Sequence, residues 1–142
     1  MGLAIYETND ENTAFSLNGA NTAPIRFSAD GRTGRVIEKL YYVRNDNNLK
    51  SYTSISLSFS PNIANDVVNG EDGFSMKLKA GSTQPSSQEW DLLDHGNTIT
   101  ISNIVDTQTY SPFWIRMVIP AGAPVQTVSN MSVRITATEN VI

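Results

Sequence analysis

His95 is the only histidine in the chain, and histidine is the side chain best suited to acid–base chemistry near neutral pH. It lies between Asp94 and Gly96, in a stretch with the composition of a surface turn. A general base needs a nucleophile within reach and a third group that orients it, and the sequence around His95 offers neither. The chain also has no cysteine, and therefore no thiol nucleophile or thiolate metal ligand. We expect no catalytic residue, no metal, no cofactor and no enzymatic activity.

Two other kinds of chemistry stay open. Acidic residues could meet in space as the carboxylate pair of a glycoside hydrolase, although nearly all of them lie in predicted turns. Aromatic side chains could form a flat platform for sugar rings, and the candidates for this platform are Trp90 and Trp114. The alternative is that both indoles are packing residues. The sequence contains further aromatic residues that could take either role, namely Tyr41, Tyr42, Tyr52 and Tyr110.

The composition describes one small acidic domain. The chain has 142 residues, enough for a single domain to bury roughly two thirds of its unfolded surface. A net charge of −4 disfavours a nucleic-acid partner, which would require a basic surface. No apolar run approaches the length of about 20 residues that spans a bilayer, and the N-terminus lacks the features of a signal peptide. We expect a protein made in the cytoplasm, with no nucleic acid and no membrane as partner.

The stretch Tyr110–Pro120 is the longest nearly continuous apolar run, and it is rich in aromatic and β-branched residues. This composition predicts a strand buried on both faces, or nearly so, in the middle of a sheet. Other strands are predicted from alternation, as in Leu49–Pro61, where apolar residues alternate with serines. We predict that this strand forms a hairpin with a strand over Arg35–Asn45. Ala80–Gln88 is predicted as a loop, followed by a small apolar cluster of Trp90, Leu92 and Leu93.

The spacing of strands and turns predicts an all-β fold, a single antiparallel β-sandwich over residues 1–142. It would be Ig-like or jelly-roll-like, with about seven to nine strands. Residues 1–29 could form an edge hairpin or an N-terminal arm, through the short strands Leu3–Thr8 and Thr13–Leu17. An arm would pair with a neighbour's sheet edge, whereas the alternative makes these strands the domain's own first strands. The candidate partner-contact residues of the arm are Leu3, Ile5, Tyr6, Phe15 and Leu17.

Several stretches together resemble a known family. They are Lys39–Asp46, Met76–Gly81, Glu89–Trp90, Gly96–Ile99, Pro112–Arg116, Ile119–Gln126 and Val133–Glu139. In this order and spacing they are similar to small Ig-like structural proteins of tailed bacteriophages. The resemblance runs from Arg35 to Glu139, which is most of the chain, and it transfers no functional residues.

The resemblance implies a non-enzymatic structural protein of a phage virion, in the first place a capsid decoration or cement protein. A tail, baseplate or fibre-associated module is the alternative within the same class. The implied partners are other virion proteins, either the major capsid protein or tail proteins, in a multi-copy assembly. The implied location is the virion, after synthesis in the host cytoplasm. A glycan-binding β-sandwich module that uses Trp90 or Trp114 is the alternative from a different class.

Overall fold

A computed structural model of the chain describes residues 2–6, 16–17, 20–21, 35–60, 75–106, 109–119 and 132–141. Within these ranges the chain forms nine strands and one short helix. The strands are β1 (Leu3–Tyr6), β2 (Ser16–Leu17), β3 (Ala20–Asn21), β4 (Arg35–Asn45), β5 (Lys50–Ser60), β6 (Ser75–Ala80), β7 (Ile99–Ile101), β8 (Tyr110–Ile119) and β9 (Ser132–Val141). The helix, α1, covers Ser87–Asp91 between β6 and β7.

The described strands form two main antiparallel sheets and one small one. The larger sheet has four strands in the order β1-β4-β8-β6, and the second has three in the order β7-β5-β9. Strands β2 and β3 pair only with each other. The core contains residues of both main sheets, with Tyr41, Phe113 and Ile115 from the larger and Ile55 and Leu57 from the smaller. The predicted all-β, sandwich-like fold is thereby confirmed.

The run that begins at Tyr110 is β8, and it lies between β4 and β6 as a central strand. Its side chains alternate in burial, which shows which face is the core. Phe113, Ile115 and Met117 are buried on the inner face. Trp114 and Arg116 lie on the outer face and are half-buried. The prediction of a central strand is therefore correct, but its outer face is only partly covered.

The predicted hairpin between Arg35–Asn45 and Leu49–Pro61 is wrong, although both strands exist as β4 and β5. Strand β4 pairs with β1 and β8, whereas β5 pairs with β7 and β9, so the turn at 46–49 carries the chain from one sheet to the other. The buried side chain of Asn45 closes this turn. Its Nδ2 donates to the carbonyl oxygen of Lys50 at 2.8 Å, and its Oδ1 accepts from the N–H of Asn47 at 2.8 Å. These two hydrogen bonds hold the turn in place, although no backbone ladder joins β4 to β5.

Strand β5 contains a bulge that keeps its apolar residues in the core. The register with β9 shifts between Thr53 and Ser56, and Ser54 has a positive φ of 52°. Between these two pairs β5 has one residue more than β9. Without this extra residue, Tyr52 would face the same side as Ser54 and Ser56. With it, Tyr52 and Ile55 both lie in the core, and the predicted alternation of apolar residues and serines is confirmed.

The N-terminal strand belongs to the domain's own sheet. Strand β1 pairs with β4 from Leu3 opposite Asn45 to Tyr6 opposite Tyr42. Leu3, Ile5 and Tyr6 are all buried, and the first two pack in the main core. The hypothesis that these three residues contact a partner is therefore wrong, because their apolar surface is already used within the chain. Of the other two candidates, Phe15 lies outside the described residues and Leu17 lies in β2.

The loop predicted over Ala80–Gln88 ends earlier than expected, because α1 begins at Ser87. Ser86 caps this helix: its hydroxyl accepts from the N–H of Glu89 at 3.2 Å, and the Glu89 carboxylate accepts from the N–H of Ser86 at 3.2 Å. The helix directs Trp90 towards the protein and Leu92 towards solvent, with 86% of Leu92 exposed. The predicted apolar cluster is therefore wrong for Leu92.

Candidate functional site

The outer face of the four-stranded sheet is covered at one part and open at another. Side chains at even positions of β4 and β8 point to this face, because their odd-numbered neighbours Tyr41 and Phe113 are in the core. The segment between β6 and β7, which contains α1, lies over the covered part. The boundary between the two parts decides which aromatic residues can meet a ligand or partner.

Trp90 covers a row of three charged residues. Glu38, Arg116 and Lys77 lie opposite one another on β4, β8 and β6. The indole Nε1 of Trp90 donates to the Glu38 carboxylate, and the Lys77 ammonium donates to the Trp90 carbonyl oxygen at 3.0 Å. The Arg116 guanidinium carbon lies 6.0 Å from the centre of the Trp90 ring. Trp90 is 0% exposed, so this indole holds the segment against the sheet.

The open part of the face forms an aromatic surface, made up of Leu40, Tyr42, Tyr110, Pro112 and Trp114. Leu40 lies opposite Trp114, and Tyr42 lies opposite Pro112. The rings of Tyr42 and Tyr110 meet edge to face, with centres 5.0 Å apart and planes at 90°. Tyr110 is 45% exposed, and the other four residues are half-buried. Apolar area therefore reaches solvent from two adjacent, hydrogen-bonded strands.

The aromatic surface is held in place by its surroundings. The Trp114 indole Nε1 donates to the carbonyl oxygen of Ser82 at 3.2 Å, which fixes the ring beside the covered part. Lys79 lies opposite Trp114 on β6 and brings a positive charge to its border. Rings that are fixed before binding lose little conformational entropy when a partner arrives, and Trp and Tyr dominate interface hot spots for this reason among others. The surface is suited to docking rather than to chemistry.

The structure separates the two tryptophans that the sequence treats alike. Trp90 cannot serve as a sugar platform, because its ring is buried between α1 and the sheet. Trp114 lies on the open face and stays a candidate for the sugar platform. Among the tyrosines, Tyr41 and Tyr52 are buried, whereas Tyr42 and Tyr110 lie on the same open face as Trp114. The alternation of β8 carries the signal for this group, since Tyr110, Pro112 and Trp114 share one parity.

His95 has a structural contact. It lies in a turn, as predicted, and is half-buried against β6. Its Nδ1 accepts from the N–H of Met76 at 2.9 Å, which places the ring against the edge of β6. Asn97 makes a matching pair of bonds with Leu78: its Oδ1 accepts from the N–H at 2.8 Å, and its Nδ2 donates to the carbonyl oxygen at 2.8 Å. Both side chains therefore bind the outer edge of β6.

A buried tyrosine connects the two sheets at one end of the sandwich. The Tyr52 hydroxyl accepts from the N–H of Gly2 at 2.7 Å and donates to the Glu139 carboxylate at 2.7 Å. Burial raises the pKa of Tyr52 above its ordinary value, and the bond to Glu139 raises it further. A side chain at position 2 would lie 2.5 Å from the Cβ of Asn47, so only glycine allows this close approach.

Within the described ranges, no group of three or more His, Cys, Asp or Glu residues is arranged to hold a metal ion. In the same part of the chain, no helix is long and apolar enough to cross a membrane. Comparisons with protein-family models, with curated proteins and with solved structures found no match to this chain.

Proposed function

We propose that this protein is a non-enzymatic structural component of a phage virion, a capsid decoration or cement protein, and that it docks through the aromatic surface. The proposal is supported by the resemblance from Arg35 to Glu139 and by one structural observation. That observation is the group of Tyr42, Tyr110 and Trp114, partly exposed on two paired strands of a rigid sheet. A structural protein needs such a preformed contact, because it works by holding neighbouring subunits.

The location within the virion is tested by quantitative mass spectrometry of purified particles. A copy number in proportion to the major capsid protein would support capsid decoration. A copy number in proportion to tail or portal proteins would instead support the tail, baseplate or fibre-associated alternative. Absence of the protein from purified particles would contradict both.

The role of the aromatic surface is tested by adding purified protein to particles that lack it. We expect Trp114→Ala to weaken binding by at least about tenfold, because truncation of a central interface tryptophan costs about 2 kcal/mol or more. Leu92→Ala is the matched control, because Leu92 lies outside the surface and is the most exposed large apolar side chain among the described residues. Equal binding by Trp114→Ala and Leu92→Ala, with both variants folded, would contradict the assignment of this surface.

A glycan-binding module is the second candidate, and the exposure of Trp114 beside Tyr110 favours it. Aromatic rings on a flat sheet face are suited to stacking on sugar rings, and Lys79 at the border could hydrogen-bond a hydroxyl group. A glycan array distinguishes the two candidates. Glycan binding that is lost in Trp114→Ala, together with no binding to particles, would favour this second function over the first.

A further inference from the structure

Strand β9 forms a long edge of its sheet among the described strands. It pairs with β5 along one side, from Lys50 opposite Val141 to Ser60 opposite Ser132. Along the other side it pairs with no strand in the part of the chain that the structure describes. Ten residues at about 3.4 Å each give an edge of roughly 34 Å. Unpaired N–H and C=O groups on such an edge form a template for another strand.

The usual features that protect an edge strand are missing from β9. Its residues, Ser132–Val141, include no proline and only two charged side chains, Arg134 and Glu139. Glu139 is engaged on the inner side, where it accepts from the Tyr52 hydroxyl. Most other residues of the strand are β-branched, which favours further pairing. The edge is therefore regular and almost uncharged.

We propose that the edge of β9 pairs with the β9 edge of a second copy, antiparallel about a two-fold axis. The three-stranded sheets of the two copies would then join into one continuous six-stranded sheet. The inference rests on this strand alone, and it would stand if the protein proved to have no place in a virion.

The pattern of β9 is complementary to itself. Val133, Ile135 and Ala137 are half-buried and pack against the core, whereas Arg134 and Thr136 are exposed on the other face. An antiparallel pairing centred on Ile135 places Ile135 opposite its counterpart and Val133 opposite Ala137, and so extends the apolar core across the dyad. The half-exposed apolar row thereby gains cover that its own domain leaves incomplete.

Charge also permits this pairing. In the in-phase registers centred on Ile135, Thr136 or Ala137, Arg134 faces a polar residue of the second copy and never the second Arg134. Glu139 does not face its counterpart in any of these registers either. Like charges directly opposite each other would destabilise a strand pair, and these registers avoid them. A second copy is therefore a suitable occupant without any change to the strand.

The test uses charge at position 136, whose side chain lies opposite or diagonal to its counterpart in all three registers. We expect the wild-type protein to form a dimer in sedimentation velocity experiments over a range of concentrations. Thr136→Lys should weaken the dimer by at least about tenfold, because two like charges then meet at the dyad. Thr136→Glu should weaken it likewise in the registers centred on Thr136 and Ala137, whereas in the register centred on Ile135 the new carboxylate faces Arg134 and the dimer is retained. An equimolar mixture of the two variants should regain a dimer, because opposite charges then meet.

The matched control is Thr100→Lys, which adds the same charge on β7, at the opposite edge of the same sheet. It should associate as the wild type does. Circular dichroism and thermal melting of each variant will establish that the fold is retained. A wild type that stays monomeric, a Thr136→Lys dimer as tight as the wild type, or equal weakening by Thr100→Lys would each overturn the proposal.

Discussion

Strands β6 and β9 are both edge strands, and the chain treats them in opposite ways. The edge of β6 is closed by the turn at 95–97, through the side chains of His95 and Asn97 and the N–H of Gly96, which donates to the Met76 carbonyl oxygen at 2.8 Å. The edge of β9 has no such cover within the described residues. One edge is thus closed by the protein itself, and the other is the edge through which we propose that two copies pair.

The difference arises from a single segment, which closes one sheet edge and part of one sheet face. The turn that closes β6 belongs to the same segment as α1, and Trp90 fixes this segment on the outer face of the larger sheet. That one segment therefore limits two surfaces. It prevents strand addition at β6, and it marks the border of the aromatic surface beside Trp114. The aromatic surface and β9 are the two places at which we propose contacts with other chains.

The largest loss of stability should come from Trp90→Ala, which removes the side chain that anchors the segment between β6 and β7. Truncation of a fully buried tryptophan typically costs about 3–5 kcal/mol, and we expect a loss of stability in this range. Urea denaturation followed by circular dichroism measures the free energy of unfolding. Trp90→Phe should cost less, because it keeps an aromatic ring at this position, although it loses the donor to Glu38 and part of the buried volume.

The control for Trp90→Ala is Leu92→Ala, two residues further along the same segment. Leu92 is exposed, so its truncation should change stability by no more than about 0.5 kcal/mol. A similar loss in both variants would mean that Trp90 does not anchor the segment.

A smaller effect is expected from Asn97→Ala, which opens the closed edge directly. The substitution leaves the N–H and the carbonyl oxygen of Leu78 without their partner, and we expect a loss of about 2–3 kcal/mol. The variant should also self-associate through β6, in addition to any pairing through β9. Sedimentation velocity should therefore show species larger than a dimer.

Asn97→Asp is the sharper comparison, because it keeps an acceptor for the N–H of Leu78 and loses only the donor to the carbonyl oxygen. Its free energy of unfolding and its degree of self-association should both be intermediate between those of the wild type and Asn97→Ala. An Asn97→Ala protein that associates no more than the wild type would show that the side chain does not keep the β6 edge closed.

The fold could be predicted because alternation is a local property of the sequence. Ile55 and Leu57 are separated by single serines, and this spacing is sufficient to identify the strand and its inner face. That β4 and β5 belong to different sheets could not be predicted in the same way. A short polar turn between two strands is typical of a hairpin, and only the burial of the Asn45 side chain reveals that the chain changes sheets there.

The candidate site was harder to predict, because it depends on which faces are covered. Both tryptophans lie in stretches that could be core or surface. Trp114 is outside because Phe113 and Ile115 take the inner face, and Trp90 is inside because a short helix folds back over the sheet. Periodicity groups Trp114 with the other even-numbered residues of β8, but it does not say which face of the strand is the core or that α1 covers Trp90. Both of these depend on contacts between elements distant in sequence.

The smallest effect should come from Tyr52→Phe, which concerns a third edge strand, β1. The Tyr52 hydroxyl joins the start of β1 to Glu139 on β9, and without it the buried N–H of Gly2 loses its acceptor. We expect a loss of about 1–2 kcal/mol near neutral pH. Self-association through β9 should not change, because Tyr52 lies on the inner face, away from the edge.

The same variant should change how stability depends on pH. The pKa of Tyr52 is raised in the folded protein, so the folded state favours the neutral phenol. Its contribution to stability is therefore fully present below the ordinary tyrosine value of about 10, and it is lost as the pH rises through the raised pKa. Urea denaturation at a series of pH values should show a steeper alkaline loss for the wild type than for Tyr52→Phe. Parallel curves for the two proteins would show that Tyr52 does not titrate differently in the folded and unfolded states.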